Sequence, residues 1–247
     1  MSFHQEKQLS QVLPKTKFEE LVNRTMRIVI VRHGQSVANA QGRWQGQLDY
    51  ELSVEGQTQA EKLKERFIME KFTPDLIYSS PLKRALRTAE ITFPEKKVFT
   101  IDDLKEGGAG VFEGKTMDEL RIEHPEAVAT FERTKTFNNV PEAESRYDLR
   151  KRAKTAVDFF IKGHNRDDEI AVFTHSGTMM YIMAVIMGTS RVWSLRIPNT
   201  AVFDFRIDPN AWDTVDPIGG ARQGAGSFEI RRFADASHLH IPQEASS

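Results

Sequence analysis

The strongest constraint on the fold is an apolar run, IVIV at residues 28–31, that ends directly in Arg32, His33 and Gly34. β-Branched residues favour a strand, and a strand that is apolar without alternation is typical of a parallel sheet covered on both faces. Ligands bind to such sheets beyond the carboxyl ends of the strands. The sequence therefore predicts that Arg32 and His33 lie at a ligand site, with Gly34 allowing a tight turn behind them.

Along the rest of the chain, strand patterns alternate with helix patterns, which predicts an α/β fold with a mainly parallel central sheet. The predicted strands cover residues 27–31, 75–78, 98–101, 169–173, 201–207 and 228–233. One predicted helix begins after Ser53, and the others cover residues 82–91, 116–123, 125–133, 147–161 and 177–187. We interpret residues 1–25 as an N-terminal extension with a short helix around 17–23, residues 26–240 as one domain, and residues 241–247 as a C-terminal tail.

The composition argues against several classes of protein. The 247 residues carry 34 basic and 35 acidic side chains, whereas nucleic-acid-binding domains are usually strongly basic. The sequence has no apolar run long enough for a transmembrane helix, and its polar N-terminus lacks the apolar core of a signal peptide. The absence of cysteine excludes disulfides and a cysteine nucleophile. We expect a cytoplasmic protein without nucleic-acid or membrane partners, and a homodimer stays open.

Basic side chains follow three of the predicted strands at the same edge of the sheet. Besides Arg32 and His33, His175 follows the strand at 169–173, and Arg84 lies one turn into the helix after the strand at 75–78. Two guanidinium groups and two imidazoles repel one another unless an anion lies between them, and arginine matches the oxygens of a phosphate. With cysteine absent, a neutral imidazole is an available nucleophile for phosphoryl transfer.

Release of an alkoxide from phosphorus also needs a proton donor. The candidate is Glu106 in the glycine-rich segment LKEGGAGVFEG, and Glu113 in the same segment is the alternative. The overlapping sequence AGVFEGKT nearly matches a phosphate-binding P-loop. It does not directly follow a predicted strand, and Glu113 would place a carboxylate against the anion. We therefore favour the proton-donor interpretation over a nucleotide site.

Taken in order, these motifs resemble those of the histidine phosphatase superfamily, in its branch related to phosphoglycerate mutase. The segments that carry the resemblance are VRHGQSVAN, WQGQLDYELSVEGQTQA, IYSSPLKRALRTAE, LKEGGAGVFEG, VFTHSGTM, IPNTAVFDF and the HL of FADASHL. Together they span about residues 26–240. The resemblance implies a three-layer α/β/α sandwich, a cap at about residues 103–150, and neither a metal nor another cofactor.

The resemblance also implies a role for each matching residue. His33 would be the nucleophile that becomes phosphorylated. The groups that hold the phosphoryl oxygens would be Arg32, Arg84 and His175. Glu106 would protonate the leaving oxygen and later help water to attack the phosphohistidine. The remaining binding residues would be Asn39 in the phosphate pocket, Gln45 and Gly46 on the substrate side, and Ser176, which replaces a glycine usual in the family.

Several residues keep two interpretations at this point. The segment PEAESRYD matches the family at Glu144 and Ser145 but lacks the preceding glycines, so no substrate contact is assigned there. Aromatic candidates for the pocket wall, with core or surface positions as the alternative, are Trp44, Tyr50, Phe112 and Tyr147. Histidines interpreted as ordinary polar residues rather than metal ligands are His4, His124, His164, His238 and His240.

The resulting hypothesis is a metal-independent phosphomonoesterase that acts on a small phosphorylated metabolite through a phosphohistidine. One alternative is a cofactor-dependent phosphoglycerate mutase. Such mutases carry additional chain between the acid and the second histidine and a tryptophan–proline stretch before the acid. Here that segment is compact, and FPEKKVFTIDD contains no tryptophan. The other alternative is a catalytically weak binding or regulatory relative, against which the complete set of candidate catalytic residues argues.

Overall fold

The computed structural model describes residues 25–192, 195–209, 212 and 228–240. Two of the predictions made above lie outside these residues. They are the short helix around 17–23 and the tail at 241–247.

The strands form a single six-stranded sheet. They are β1 (Met26–Arg32), β2 (Leu76–Ser79), β3 (Val98–Thr100), β4 (Glu169–Thr174), β5 (Val202–Ile207) and β6 (Phe228–Asp235). Their order across the sheet is β3, β2, β4, β1, β5, β6. The first four strands in this order are parallel, whereas β5 runs antiparallel to β1 and β6 antiparallel to β5. The prediction of a mainly parallel sheet is confirmed.

Helices connect the strands close to the predicted positions. They are α1 (Val37–Ala40), α2 (Val54–Met69), α3 (Lys83–Thr92), α4 (Met117–Glu123), α5 (Pro125–Thr134), α6 (Arg146–Lys162) and α7 (Ser176–Ile186). Side-chain caps explain several starts, since Ser53 accepts from the Gly56 N–H before α2, and Ser145 caps α6 in the same way. The single turn α1 was not predicted. Among the residues that the structure describes, no helix is both long and apolar enough to span a bilayer.

The two faces of β1 account for the layers of the fold. Ile28 and Ile30 point into a core shared with α6 and α7, whereas Val29 and Val31 point into a second core shared with α2 and α3. The strand is therefore apolar at every position because helices cover both faces. This arrangement is the three-layer α/β/α sandwich that the resemblance implied.

The segment between β3 and α6 carries a separate apolar cluster. Its buried members are Ala109, Phe112, Leu120, Val128 and Val140. Trp44, in the loop that follows α1, packs against this cluster, with its ring 5.9 Å from the ring of Phe112 and 5.4 Å from that of Phe131. We call this group of residues the cap cluster. Phe112 is fully buried and Tyr147 is 75 % exposed, so these two aromatic candidates occupy core and surface positions.

Candidate active site

Backbone register brings the two candidate histidines together. Arg32 of β1 pairs with Thr174 of the parallel neighbour β4, so His33 and His175 leave adjacent strands side by side. Their ring centroids lie 5.0 Å apart. The turn behind His33 depends on Gly34, because a Cβ atom there would lie 2.5 Å from the Gly56 carbonyl oxygen at the start of α2.

The hydrogen bonds of His33 fix its tautomer. Its Nδ1 atom lies 2.6 Å from the Gly34 carbonyl oxygen, which can only accept, so Nδ1 carries the proton and Nε2 keeps its lone pair. Burial lowers the pKa of His33 well below its usual value, and the charges of Arg84 and Arg32 lower it further. His33 is therefore a neutral imidazole with a free nitrogen.

His175 is held in a defined tautomer by two neighbours. The Nε atom of Arg84 donates to Nδ1 of His175 over 3.2 Å, so the proton of His175 resides on Nε2. From there it is donated to the hydroxyl of Ser80, 2.8 Å away. Burial, followed by the charge of Arg84, lowers the pKa of His175 well below its usual value.

The two arginines place buried positive charge beside these rings. Arg84 on α3 is fully buried and donates to the carbonyl oxygens of Leu48, at 2.7 Å, and Gly46, at 2.9 Å. Burial lowers its pKa to about 10. Arg32 donates to the Ile197 carbonyl oxygen, while its buried Nε atom has no hydrogen-bond partner among the described residues. An unsatisfied buried N–H beside a second guanidinium group is a site that an anion would complete.

Glu106, rather than Glu113, faces this cluster. One oxygen of Glu106 accepts from the N–H of Thr178 and the other from that of Gly177, each over 3.0 Å, at the start of α7. Its charge also raises the pKa of both Arg32 and Arg84 against the effect of burial. The Glu113 carboxylate instead accepts from the N–H groups of Gln47 and Ala109. The choice of Glu106 over Glu113 as the proton donor stays a prediction.

A comparison with known protein families identifies the superfamily of this chain. Residues 28–217 match the sequence profile described as histidine phosphatase superfamily (branch 1), which covers more than half of the chain. The chain belongs to the histidine phosphatase superfamily. The family that the motifs resemble is thereby confirmed.

Relatives of this histidine phosphatase cover most of its length. Phosphoglycerate mutase-like protein 4 of Arabidopsis thaliana is 34 % identical over 190 residues, covering 75 % of this chain and 81 % of that protein. The metal-independent phosphoserine phosphatase of the same plant is 33 % identical over 172 residues, covering 68 % and 71 %. Among solved structures, YhfR of Bacillus stearothermophilus gives a TM-score of 0.72 at 27 % identity, covering 87 % of this chain and 99 % of that one.

The other predicted binding residues of this histidine phosphatase surround the β1 tip. The Oδ1 atom of Asn39 accepts from the Ser36 N–H over 3.2 Å and lies 3.5 Å from the Nδ2 atom of Asn199. Gln45 accepts from the Ser36 hydroxyl over 2.6 Å, and Gly46 lies beside it as an acceptor for Arg84. Ser176 is the first residue of α7, directly after His175. The structure thus brings all of the predicted site residues to one end of the sheet.

Sequence reasoning missed the residues that hold the β1 tip from behind. The Thr88 hydroxyl accepts from the Gly34 N–H over 3.0 Å, and the side chain of Asn199 donates to the His33 carbonyl oxygen over 3.0 Å. Thr88 belongs to the segment IYSSPLKRALRTAE and Asn199 to IPNTAVFDF, so the resembling motifs contained the signal. What the motifs did not reveal was which backbone group each side chain binds.

His238, interpreted from the sequence as an ordinary polar residue rather than a metal ligand, is a buried residue of the fold. Its side chain is 1 % exposed, and it lies in a 3-10 turn rather than a strand. Its Nδ1 atom lies 3.2 Å from Nη1 of Arg66, and its Nε2 atom 2.9 Å from the hydroxyl of Thr200. The Thr200 N–H donates to the His33 carbonyl oxygen over 3.3 Å, so His238 supports the turn at His33 through Thr200.

Proposed function

We propose that this chain hydrolyses a phosphomonoester of a small metabolite through a phosphohistidine formed on His33. The observation that carries the proposal is a neutral, buried imidazole with a free nitrogen, beside the fully buried Arg84 and the buried, unsatisfied Nε–H of Arg32. That it is a phosphatase of the histidine phosphatase type follows from the family match. The substrate, the residue roles and the independence from metal are the new parts of the proposal.

Binding would use the donors that the protein leaves available. The Nε–H of Arg32 is unsatisfied, and each terminal nitrogen of Arg84 makes one hydrogen bond and retains a second N–H. These groups would hold the phosphoryl oxygens and neutralise their charge, which is the main requirement of phosphoryl transfer. His175 would turn its Nε2–H from Ser80 to the bound phosphate, and Asn39 would line the same pocket.

In the first chemical step, Nε2 of His33 attacks phosphorus as the bond to the leaving oxygen breaks on the opposite side. Glu106, protonated in the substrate complex, gives its proton to that oxygen, so the product leaves as a neutral alcohol. In the second step, Glu106 as carboxylate takes a proton from water, and the oxygen attacks phosphorus. The N–P bond breaks, inorganic phosphate leaves, and both His33 and Glu106 return to their starting forms.

The proposal favours a phosphatase over a mutase because the segment between Glu106 and His175 is compact. Phosphoserine is the first substrate to test, since a relative at 33 % identity is named a metal-independent phosphoserine phosphatase. Residues 103–150 are proposed as the cap over this site. Because they contain Glu106 as well as the cap cluster, this segment would shape the pocket for the leaving group.

The test measures phosphate released from phosphoserine and from a panel of sugar, glycerate and nucleotide monophosphates in the presence of EDTA. A parallel assay follows isomerisation of 3-phosphoglycerate with 2,3-bisphosphoglycerate present. Phosphate release without isomerisation supports the proposal and ranks the substrate classes. Isomerisation would show that the protein is a mutase, and activity that EDTA abolishes would show that it needs a metal; either result would overturn the proposal. A protein that is silent in both assays would be the binding or regulatory relative instead.

A further inference from the structure

A largely buried ion pair lies beneath the loop that carries Glu106. Arg152 of α6 donates from Nε and Nη2 to the two carboxylate oxygens of Glu144, each over 2.7 Å. Both side chains are only 16 % exposed. Such a fork-to-fork arrangement fixes the direction of the guanidinium group as well as its position.

The remaining donors of Arg152 all bind the backbone of the loop. Nη1 donates to the carbonyl oxygens of Asp103, at 2.9 Å, and Lys105, at 2.8 Å, and Nη2 donates to that of Glu106 itself, at 3.0 Å. The five N–H groups of a guanidinium are thereby all used. Arg152 holds the main chain of Glu106 and makes no hydrogen bond to its carboxylate.

Glu144 fastens the other side of the same loop. Its Oε2 atom accepts from the Gly108 N–H over 3.1 Å, and its own N–H donates to the Gly108 carbonyl oxygen over 2.9 Å. The ion pair therefore contacts the loop at residues 103, 105, 106 and 108, on both sides of the carboxylate donor. Both oxygens of Glu144 are occupied by these contacts within the protein.

We infer that Arg152 and Glu144 are positioning residues that hold the Glu106 carboxylate at the leaving oxygen, an inference that rests on the proposed function. A buried ion pair contributes little net stability, because removing both charges from water offsets most of their attraction. We assign this ion pair the role of fixing the position of the loop backbone. Misplacement of a reacting group by 1 Å can lower a rate by about 100-fold. The flexible side chain of Glu106 starts from the backbone that this pair fixes.

The experiment uses the dependence of the rate on the leaving group. An alkyl phosphate such as phosphoserine needs a proton on its leaving oxygen, whereas p-nitrophenyl phosphate releases a stable anion without one. We expect Arg152→Gln to lower kcat/KM, which reports formation of the phosphohistidine alone, by about 100-fold for phosphoserine and by less than about threefold for p-nitrophenyl phosphate. Hydrolysis of the phosphohistidine, in which Glu106 also acts, is the same step for both esters and does not enter kcat/KM. Glu106→Gln should give the same pattern, and Arg152→Lys should restore only part of the rate because it lacks the fork.

The matched control is Arg121→Gln, which removes a cap arginine from exposed ion pairs with Asp118 and Glu132. It should leave both rates unchanged. Glu144→Gln provides a second test should Arg152→Gln fail to fold, and it should show the same selective loss in weaker form. An equal loss of kcat/KM on both esters, or no loss on either, would overturn the positioning role.

Amide hydrogen exchange tests the contacts between Arg152 and the loop independently of the proposed function. In Arg152→Gln, the N–H groups at residues 103–108 should exchange faster, while those of β1 should not change. Unchanged exchange at residues 103–108 would show that Arg152 does not hold the loop, whether or not the protein is a phosphatase. A wild-type protein that hydrolyses neither these two esters nor any monoester of the panel overturns the proposed function, and with it the catalytic role of Arg152 and Glu144.

Discussion

Replacing His238 by glutamine tests how far the fold depends on a neutral buried imidazole. Burial first, and the adjacent Arg66 second, lower the pKa of His238 from 6.5 to about 4. The hydroxyl of Thr200 is committed as a donor to the Asn199 carbonyl oxygen, so it accepts from Nε2 of His238. Protonation at Nδ1 would remove the acceptor for Arg66 and place a second positive charge against it.

The sign of the pH effect follows from which state binds the proton first. As pH falls through 6.5, the unfolded chain protonates this histidine, whereas the folded chain does so only near pH 4. The stabilisation is therefore fully present above pH 6.5 and is lost as pH falls to about 4. The two pKa values differ by about 2.5, which corresponds to about 3 kcal/mol, of which about 2 kcal/mol is lost between pH 7 and pH 5.

Urea unfolding of the wild-type protein and of His238→Gln, followed by circular dichroism between pH 7 and pH 5, measures this loss. Glutamine retains a donor and an acceptor but does not titrate, so the free energy of unfolding should fall with pH about 2 kcal/mol less in the variant. His33 and His175 are present in both proteins and cancel in the comparison. The same replacement at exposed His240 controls for the loss of a histidine as such. Parallel pH curves for the wild type and His238→Gln would refute the reasoning.

Three further replacements test other parts of the structure. His33→Ala should abolish phosphate release while circular dichroism and the thermal midpoint stay unchanged, and residual turnover would contradict its role as nucleophile. Gly177→Ala would place a Cβ atom 2.5 Å from an oxygen of Glu106, so the carboxylate must move by about 1 Å and kcat should fall about 100-fold in a folded protein. Phe112→Ala should lower the free energy of unfolding by about 3 to 5 kcal/mol in urea denaturation, and a loss below about 1 kcal/mol would contradict its place in the cap cluster.

The parts of the site that the sequence predicted are those set by local pattern. An apolar run that ends in charged residues fixes a strand end, and two such ends in parallel strands meet at one edge of a sheet. Arg32, His33 and His175 are of this kind, and the helix after β2 adds Arg84. Their placement needs only the order of strands and helices, which hydrophobic periodicity reveals.

Residues that act through distant contacts carry no such pattern. Arg152 binds carbonyl oxygens of a loop more than forty positions earlier in the chain, and His238 binds Arg66 across most of the sequence. On its own segment each is a polar residue at an unremarkable position. Their partners are set by the packing of α6 and of the final 3-10 turn, which periodicity does not specify. This is why His238 was interpreted as an ordinary polar residue.

The cap cluster has a consequence for how such proteins can diverge. Its buried residues pack on one another and on Trp44, separately from the two cores that hold the sheet and its helices. Changes of side chain or length within this cluster therefore leave the packing beneath His33 and His175 intact. Under the proposed role of residues 103–150 as the cap, selection can remodel the wall around a leaving group while the phosphate end stays constant, so one scaffold can accommodate a series of different substrates.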